Sequence, residues 1–215
     1  MSIEIRWLNH ASFRIAGSTV VYVDPWKIGA SPGDGQAVVV SHAHFDHCSA
    51  EDVRNVLAPS GAVLAPPDVL HKLARKEHAL TPGATVELSG VKVTGVPAYN
   101  IGKAFHPRAN GWLGVVIEMD SVRVYYAGDT DRIPEMAKLS GIDVALLPVG
   151  GTYTMNAAEA AKAIGDIKPR IAVPYHFGDI VGSADDGKQF AAQAKCRVHV
   201  LKPGQSINIE PAANK

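Results

Sequence analysis

Residues 37–47 read Ala-Val-Val-Val-Ser-His-Ala-His-Phe-Asp-His, and this stretch decides the fold. The apolar run at its start is typical of a strand that is buried on both faces. Three histidines and one aspartate then follow within residues 42–47. In an extended chain His42 and His44 point to the same side and can reach one cation, while Asp46 and His47 can face a second cation after the chain turns. Imidazole and carboxylate are ligands that zinc, iron and manganese accept, so the stretch predicts a metal site at a strand end.

The composition is that of an ordinary folded chain of 215 residues, with 47% hydrophobic and 20% charged residues. This length favours a single domain, which we expect to span residues 1–215. The 21 basic and 21 acidic residues give a formal charge of zero. This balance argues against a nucleic-acid partner, because proteins that bind phosphate backbones usually carry a basic surplus.

The sequence shows no sign of export or of membrane insertion. The N-terminal residues MSIEIRWLNH lack the basic and apolar regions of a signal peptide, and no apolar stretch reaches the length of a membrane-spanning helix. The two cysteines are Cys48 and Cys196, and a chain of this size needs no disulfide between them. We therefore expect a reduced, cytoplasmic protein with no membrane partner.

The order of the predicted elements indicates an α/β fold. Strands dominate the first half of the chain, and strands alternate with helices in the second half. The predicted strands are residues 3–7, 13–15, 19–23, 37–41, 85–88, 91–96, 113–119, 122–126, 144–147, 171–174, 198–201 and 206–209. The predicted helices are residues 49–57, 66–76, 133–139, 156–167 and 187–194. Ser49 with Asp52 resembles a capping box at the start of the first helix, and Asp120-Ser121 is a predicted hairpin turn between two strands. Two mixed β-sheets packed together and flanked by helices would satisfy this order.

Two further ligand-type residues follow predicted strands. Asp129 comes directly after a strand and Gly128, where a tight turn can direct a carboxylate inward. His176 follows the strand at residues 171–174. Either residue alone could be structural. Three strands that all end in such residues favour one shared site, because sheet proteins build their sites in the loops at strand ends.

These motifs resemble those of the metallo-β-lactamase-fold hydrolases. The pattern HxHxDH after a strand, then strand–Gly–Asp, then strand–His, extends over nearly the whole chain. Five phrases are most similar to the L-ascorbate-6-phosphate lactonase-like branch of that family: YVDPW (22–26), SHAHFDH (41–47), YYAGDTDRIPEM (125–136), IDVALLPVGGTYTM (142–155) and VPYHFG (173–178).

The resemblance implies a metallo-β-lactamase αββα sandwich with a dinuclear metal site at one edge. It assigns His42 and His44 to the first metal, and Asp46, His47 and His176 to the second, with Asp129 bridging the two. The metals would be two divalent ions, with zinc the first expectation and manganese or iron the alternatives. Asp46 would be catalytic as well, because a carboxylate at this position can also exchange a proton.

One departure from the family pattern concerns the third histidine of the first metal. Asn100 stands where relatives carry that histidine, and His106 is the histidine nearest to it along the chain. We expect His106 to supply the missing ligand. The alternative is that His106 is only a loop residue and that Asn100 or water completes a weaker site.

Several residues near the motifs are candidate substrate contacts. They are His10, Asn100, Thr152 and Tyr153, and the long polar loop adds Lys103 and Arg108 as candidates to pair with an anionic group. Asp24 is placed to orient a ligand histidine through its second ring nitrogen.

These observations predict a metal-dependent hydrolase of a small anionic ester, either a lactone or a phosphodiester. A hydroxide shared by the two metals would attack the carbonyl or phosphoryl centre. The alternative is a non-catalytic metal-binding or ligand-sensing protein that keeps the same fold, and the departure at Asn100 favours it. We expect a small-molecule substrate and leave homo-oligomer formation open.

Overall fold

The structure, a computed structural model, describes residues 1–212 and contains two seven-stranded mixed sheets that pack face to face. This arrangement confirms the predicted sandwich of two mixed sheets flanked by helices. The prediction of one domain over residues 1–215 stays a prediction, and residues 213–215 lie outside the described part.

The elements follow one another along the chain in this order. The first eight are β1 (Ile3–Asn9), β2 (Ser12–Ala16), β3 (Val20–Val23), β4 (Gly35–Val39), α1 (Ala50–Val56), β5 (Leu57–Ala65), α2 (Pro67–Lys72) and β6 (His78–Ala79). The remaining elements are β7 (Thr85–Leu88), β8 (Val91–Pro97), β9 (Leu113–Met119), β10 (Val122–Tyr126), β11 (Val144–Pro148), α3 (Ala157–Ile167), β12 (Ile171–Tyr175), α4 (Ala184–Gln193), β13 (Arg197–Val198) and β14 (Ser206–Ile209). Short 3-10 helices cover Arg108–Asn110 and Pro134–Lys138. The first sheet has the strand order β14-β1-β2-β3-β4-β5-β6 and the second β13-β12-β11-β10-β9-β8-β7.

The apolar run at residues 37–40 is buried on both faces of the first sheet, as its composition predicts. Ala37 and Val39 belong to the main core between the sheets, whereas Val38 and Val40 belong to a second apolar cluster with residues of α1 and α2. Successive side chains of a strand point to opposite faces, so a run with no polar alternation needs apolar neighbours on each side.

Aromatic residues join the two sheets in the main core. The ring of Phe13 in β2 lies edge-on to Tyr126 at 6.2 Å and to Tyr175 at 5.6 Å, measured between ring centroids. Tyr126 and Tyr175 stack on each other at 5.0 Å. Edge-to-face and stacked geometries of this kind are the favourable ones for aromatic rings. Phe13 therefore packs the first sheet against two strands of the second.

Local sequence signals explain two of the elements well. Asp120 and Ser121 both have positive φ, 51° and 63°, as the tight turn between the paired strands β9 and β10 requires. Asn156 caps α3 by accepting a hydrogen bond from the Glu159 backbone, and the Glu159 side chain accepts one from the backbone N–H of Asn156.

Other predicted elements are corrected by the structure. The strand β5 was not predicted, because Pro59 and Gly61 interrupt its apolar pattern, but β5 is held by parallel pairing with β4. The predicted helix at 133–139 is a 3-10 helix, and the predicted strand at 198–201 is limited to Arg197–Val198. In addition, the Asp52 carboxylate does not form a capping box with Ser49, because it accepts hydrogen bonds from the Lys27 and Ile28 backbones instead.

The helices are short or amphipathic. Among residues 1–212, none combines the length and the apolar character that crossing a bilayer would require.

We predict that Phe13→Ala lowers the free energy of unfolding by about 3–5 kcal/mol, because it opens a cavity where the two sheets meet. The measurement is equilibrium unfolding in urea. Phe45→Ala is the matched control, since the Phe45 side chain is 65% exposed, and its effect should stay within about 0.5 kcal/mol. Equal losses in both variants would contradict the role assigned to Phe13.

Candidate metal centre

The ligand-type residues meet at one edge of the sandwich because the strands that precede them are parallel. β3 and β4 are parallel neighbours in the first sheet, and β10, β11 and β12 are parallel neighbours in the second. Their carboxyl ends therefore open on the same side, where loops carry functional groups. A backbone hydrogen bond of 3.1 Å from Leu113 N to Ser41 O joins the two sheets at this edge.

The first cluster consists of His42, His44 and His106. One ring nitrogen from each residue lies within 4.8 Å of those of the other two. His42 Nε2 is 3.1 Å from His44 Nδ1, so the two histidines of the motif do face a common point. The ring of Trp112 packs beside His42, His44 and His106 at centroid distances of 5.1, 4.9 and 5.7 Å. Trp112 thus forms an apolar wall of this cluster.

The second cluster contains Asp46, His47 and His176 together with His10. Each residue offers one ligand atom within 4.8 Å of those of the others. His10 Nε2 is 3.1 Å from Asp46 Oδ2, and the His10 ring lies 4.1 Å from the His176 ring. The His10 side chain has no exposed surface. This burial favours a role for His10 in holding Asp46, and the predicted contact of His10 with substrate stays a prediction.

Asp129 lies between the two clusters. Its Oδ2 atom is 3.3 Å from His106 Nε2 and 3.2 Å from His176 Nε2, and its Oδ1 atom is 3.3 Å from His47 Nε2. His42 Nε2 is farther away, at 3.9 Å. One carboxylate therefore faces histidines of both clusters, which is the arrangement that a bridging ligand needs.

The donor atoms of this site fit a metal because several of them are buried without a hydrogen-bond partner. Within residues 1–212 these atoms are His47 Nε2, His106 Nε2, His176 Nε2 and Asp129 Oδ1. Burying a polar atom without a partner costs about 1–3 kcal/mol, so three such ring nitrogens around a carboxylate oxygen that also lacks a partner need a compensating interaction. Divalent metals with imidazole and carboxylate ligands supply that interaction.

The pKa values of His42, His47 and Asp129 reflect both their burial and the charges of neighbouring side chains. Burial opposes charge on His47, but the carboxylates of Asp129 and Asp24 outweigh burial and raise the pKa of His47 well above its ordinary value. Burial and the neighbouring His47 hold the pKa of His42 well below its ordinary value. Burial would raise the pKa of Asp129, but His176 and His47 hold that pKa well below the usual range, so the carboxylate is a charged ligand.

Asp24 orients the site from behind, as its position in the sequence suggests. Its fully buried carboxylate accepts hydrogen bonds from His47 Nδ1 at 2.7 Å, from the Tyr126 hydroxyl at 2.6 Å and from Ser41 through both backbone N–H and Oγ. The bond to Nδ1 leaves Nε2 of His47 to face the site. A carboxylate behind a histidine in this way fixes the ring and its tautomer.

The structure shows how Asn100, which replaces the expected histidine, is arranged relative to His106. The Asn100 Oδ1 atom accepts hydrogen bonds from the His106 backbone N–H at 3.1 Å and from His106 Nδ1 at 3.0 Å. His106 is buried, and its Nε2 faces Asp129. Asn100 therefore holds His106 beside His42 and His44. The Asn100 amide group donates to Tyr153 O and to Asp131, so this side chain is engaged within the protein.

The remaining predicted contacts with substrate differ in their surroundings. Thr152 is exposed, and Tyr153 packs against Phe105 with ring centroids 4.7 Å apart. Lys103 is paired with Asp131 at 2.5 Å, and Arg108 is paired with Glu135 at 2.8 Å. The two cations are therefore neutralised by the protein itself, which does not favour their predicted pairing with an anionic substrate.

Sequence reasoning missed Trp112, Tyr126 and Asp131 as parts of the site. Trp112 stands just before β9, and its indole N–H donates to Asp68 at 2.9 Å. An aromatic residue next to a buried strand is a common core pattern, and nothing local marks Trp112 as a neighbour of the histidines. Asp131 was visible as the second aspartate of Gly128-Asp129-Thr130-Asp131, and it accepts a hydrogen bond from the Ile101 backbone.

The chain adopts unusual backbone conformations around the site. His10, Asp24 and His176 have positive φ values of 36°, 44° and 62°, in a region that residues other than glycine rarely adopt. Such conformations persist where the surrounding structure holds them, and they cluster at functional sites. Gly128 has a φ of 67°, and a Cβ atom there would clash with the Leu113 carbonyl, so the turn that directs Asp129 inward requires glycine.

The fold and this histidine–aspartate site together define a metallo-β-lactamase-fold protein. The family described as the Beta-lactamase superfamily domain matches residues 4–176. The chain belongs to this family. A relative from Thermococcus onnurineus, named UPF0173 metal-dependent hydrolase, is 34% identical over 226 aligned positions that cover 96% of this chain and all of the relative. A relative of the same name from Aeropyrum pernix is 35% identical and covers 96% of this chain and 98% of its own length.

Solved structures agree with this assignment. A protein from Parabacteroides distasonis, described as a metal-dependent hydrolase, is similar with a TM-score of 0.83 and 31% identity over 94% of each chain. Igni18, a metallo hydrolase from Ignicoccus hospitalis, has a TM-score of 0.79 at 25% identity and covers 98% of this chain and 99% of its own. The finer assignment to the lactonase-like branch stays a prediction.

We predict that Asp24→Asn weakens metal binding by about 10–100-fold, as the loss of a group behind a metal ligand does in other sites. The amide nitrogen of the variant cannot accept the hydrogen bonds from Ser41, His47 and Tyr126. Metal affinity is measured by titration with a competing chelator. The matched control is Asp34→Asn, because Asp34 bonds to Arg14 and Tyr22, outside the two clusters. Unchanged affinity in Asp24→Asn would contradict this orienting role.

Proposed function

We propose that this chain is a metal-dependent hydrolase that acts on a small ester, either a lactone or a phosphodiester, with two divalent metals held by the two clusters. The observation that carries the proposal is the position of Asp129 between His106 and His176, 3.3 and 3.2 Å away, with unpartnered ring nitrogens on both sides. His42, His44 and His106 would hold the first metal, and Asp46, His47 and His176 the second. The names of the relatives from Thermococcus onnurineus and Ignicoccus hospitalis support hydrolysis.

Metals bound in this way supply an activated water and polarise the bond that is broken. Zinc is the first expectation, because histidine and aspartate suit it, and manganese and iron are the alternatives. Zero net charge supports a small-molecule substrate over nucleic acid. The cytoplasmic location expected from the N-terminal sequence remains a prediction.

We assign proton exchange during the reaction to Asp46, because it is the most accessible carboxylate at the site. Its side chain is 11% exposed, more than the other carboxylates near it, Asp24 and Asp129. Burial would raise the pKa of Asp46, but the hydrogen bond from His10 and the nearby His176 ring hold that pKa well below the usual range. Asp46 is thus charged, as a metal ligand must be, and His10 fixes the direction of its Oδ2 atom.

The open side of the site lies at His44. The His44 side chain is partly exposed, whereas His42, His47, His106 and His176 are buried. A substrate would therefore approach past His44, with Trp112 as an apolar wall beside it. The water-excluding rings around the site strengthen the interactions between its charged groups.

The alternative of a non-catalytic sensor rested on the departure at Asn100. The position of His106, held by two hydrogen bonds from its backbone and ring to Asn100, weakens that argument, since the first cluster retains three histidines. A panel of lactone, phosphodiester and thioester substrates, with metal analysis alongside, separates the two functions. Bound metal without turnover of any substrate would favour the sensor.

We predict that His44→Ala and Asp129→Ala each lower hydrolysis by about 100-fold or more and reduce the bound metal, since even residues behind metal ligands cost 10–100-fold. Activity on the substrate found with the panel and metal content by mass spectrometry are measured on the same samples. His71→Ala is the matched control, because His71 is an exposed histidine on α2 that lies in neither cluster. Full activity with normal metal content in either ligand variant would exclude the proposed site.

A further inference from the structure

A cavity of about 560 Å³ lies beside the second cluster. It is bounded by β1, the loop after β12, the start of α4 and the loop after β13. Its volume falls in the range of about 300–1,000 Å³ that small-molecule sites occupy. The proposed reaction assigns no role to this cavity.

The inner wall of the cavity is apolar. Trp7, Phe177 and Leu201 are buried and line it, and the Trp7 and Phe177 rings lie 5.3 Å apart. Gly187 brings α4 close to this wall, because a Cβ atom there would meet the Phe177 ring at 2.8 Å and Val200 at 3.0 Å. The wall is therefore held by close packing and suits an apolar chain or ring.

The mouth of the cavity carries positive charge. Lys188 and Lys202 line it and are exposed, and Asp179 is the one acidic residue in the lining. Asp179 is already paired with Lys27 at 3.1 Å, and Lys188 is paired with Asp185 at 2.7 Å. Within the described residues Lys202 has no carboxylate at salt-bridge distance. An anionic group at the mouth would therefore find Lys202 available.

His10 connects the cavity to the metal centre. It lines the cavity, and its Nε2 atom lies 3.1 Å from Asp46. Its Nδ1 atom is buried and has no hydrogen-bond partner in residues 1–212.

We infer that this cavity binds the apolar part of a medium-length acyl chain against Trp7, Phe177 and Leu201, with the carboxylate of a free acid towards Lys202 or the carbonyl of an ester towards the metal centre. Two sources share this chemistry: a free carboxylate, or the acyl part of an ester that is hydrolysed at the metal centre. Only the second source rests on the proposed function.

Binding is tested first with octanoate and butyrate by isothermal titration calorimetry on the metal-loaded protein. Each buried methylene contributes roughly fourfold to affinity, so octanoate should bind at least about tenfold more tightly than butyrate. Octyltrimethylammonium, which has the opposite charge, should bind more weakly than octanoate.

Ala184→Trp should weaken octanoate binding by about tenfold or more, because the indole fills the mouth that Ala184 lines. The matched control is Ala192→Trp, since Ala192 is also exposed on α4 but does not line the cavity. Ala184→Leu is a smaller change for the case in which the tryptophan impairs folding, which thermal unfolding will show. Lys202→Glu should weaken octanoate binding by about two- to fivefold, and Lys195→Glu should leave it unchanged.

Hydrolysis of p-nitrophenyl octanoate and p-nitrophenyl acetate distinguishes the two sources. A preference for octanoate in kcat/KM that Ala184→Trp removes, with the acetate rate retained, identifies the cavity as the site of the acyl part of the substrate. Loss of octanoate binding without any change in ester hydrolysis identifies a separate carboxylate ligand. If neither ester is hydrolysed but octanoate still binds in the expected order, the proposed function fails and the cavity assignment stands.

The inference is overturned if octanoate and butyrate bind equally or not at all to the wild-type protein. It is also overturned if Ala184→Trp and Ala192→Trp behave alike in a folded protein. A chain-length preference that survives both Ala184→Trp and Ala184→Leu would place the acyl chain elsewhere.

Discussion

The buried carboxylate of Asp24 is the constraint on which the rest of the structure depends. It accepts hydrogen bonds from Ser41 and His47, which follow β4 in the first sheet, and from Tyr126, which ends β10 in the second. A charge with no exposed surface is tolerated only when donors surround it, and these donors come from both sheets. These hydrogen bonds make the burial of Asp24 possible, and they also fix His47 and the start of the histidine motif. The packing of the two sheets and the geometry of the site therefore depend on the same contacts.

The candidate metal centre exists only when the two sheets meet. Asp129 comes from the second sheet, whereas His42 and His47 come from the first, and the Asp129 carboxylate approaches their ring nitrogens to 3.9 and 3.3 Å across the edge. Buried ring nitrogens without a hydrogen-bond partner are unfavourable unless another group binds them. A bound metal would therefore stabilise the folded protein as well as act in chemistry, since a ligand that binds only the native state shifts the folding equilibrium towards it.

Much of this fold could be predicted from the sequence, because its local signals agree with the tertiary structure. The apolar run at residues 37–40 and the turn at Asp120 and Ser121 need only their own residues to be recognised. β5 could not be predicted from the sequence, because Pro59 and Gly61 interrupt its apolar pattern. Its pairing with β4 is a long-range interaction. The capping box at Ser49 failed for the same reason, since Asp52 is engaged by backbone groups more than twenty residues away in the chain.

The sequence alone showed that metal-ligand residues follow the strands, and hence indicated the family. It could do so because His42, His44, Asp46 and His47 are close together along the chain, so local geometry alone brings them near one another. Only the tertiary structure decided that His106 joins His42 and His44, because Asn100 holds it there through hydrogen bonds that no spacing rule predicts. The tertiary structure also decided that Lys103 and Arg108 pair within the protein and that an apolar cavity lies behind His10. These features arise from contacts between distant segments, which depend on how the two sheets and their loops pack.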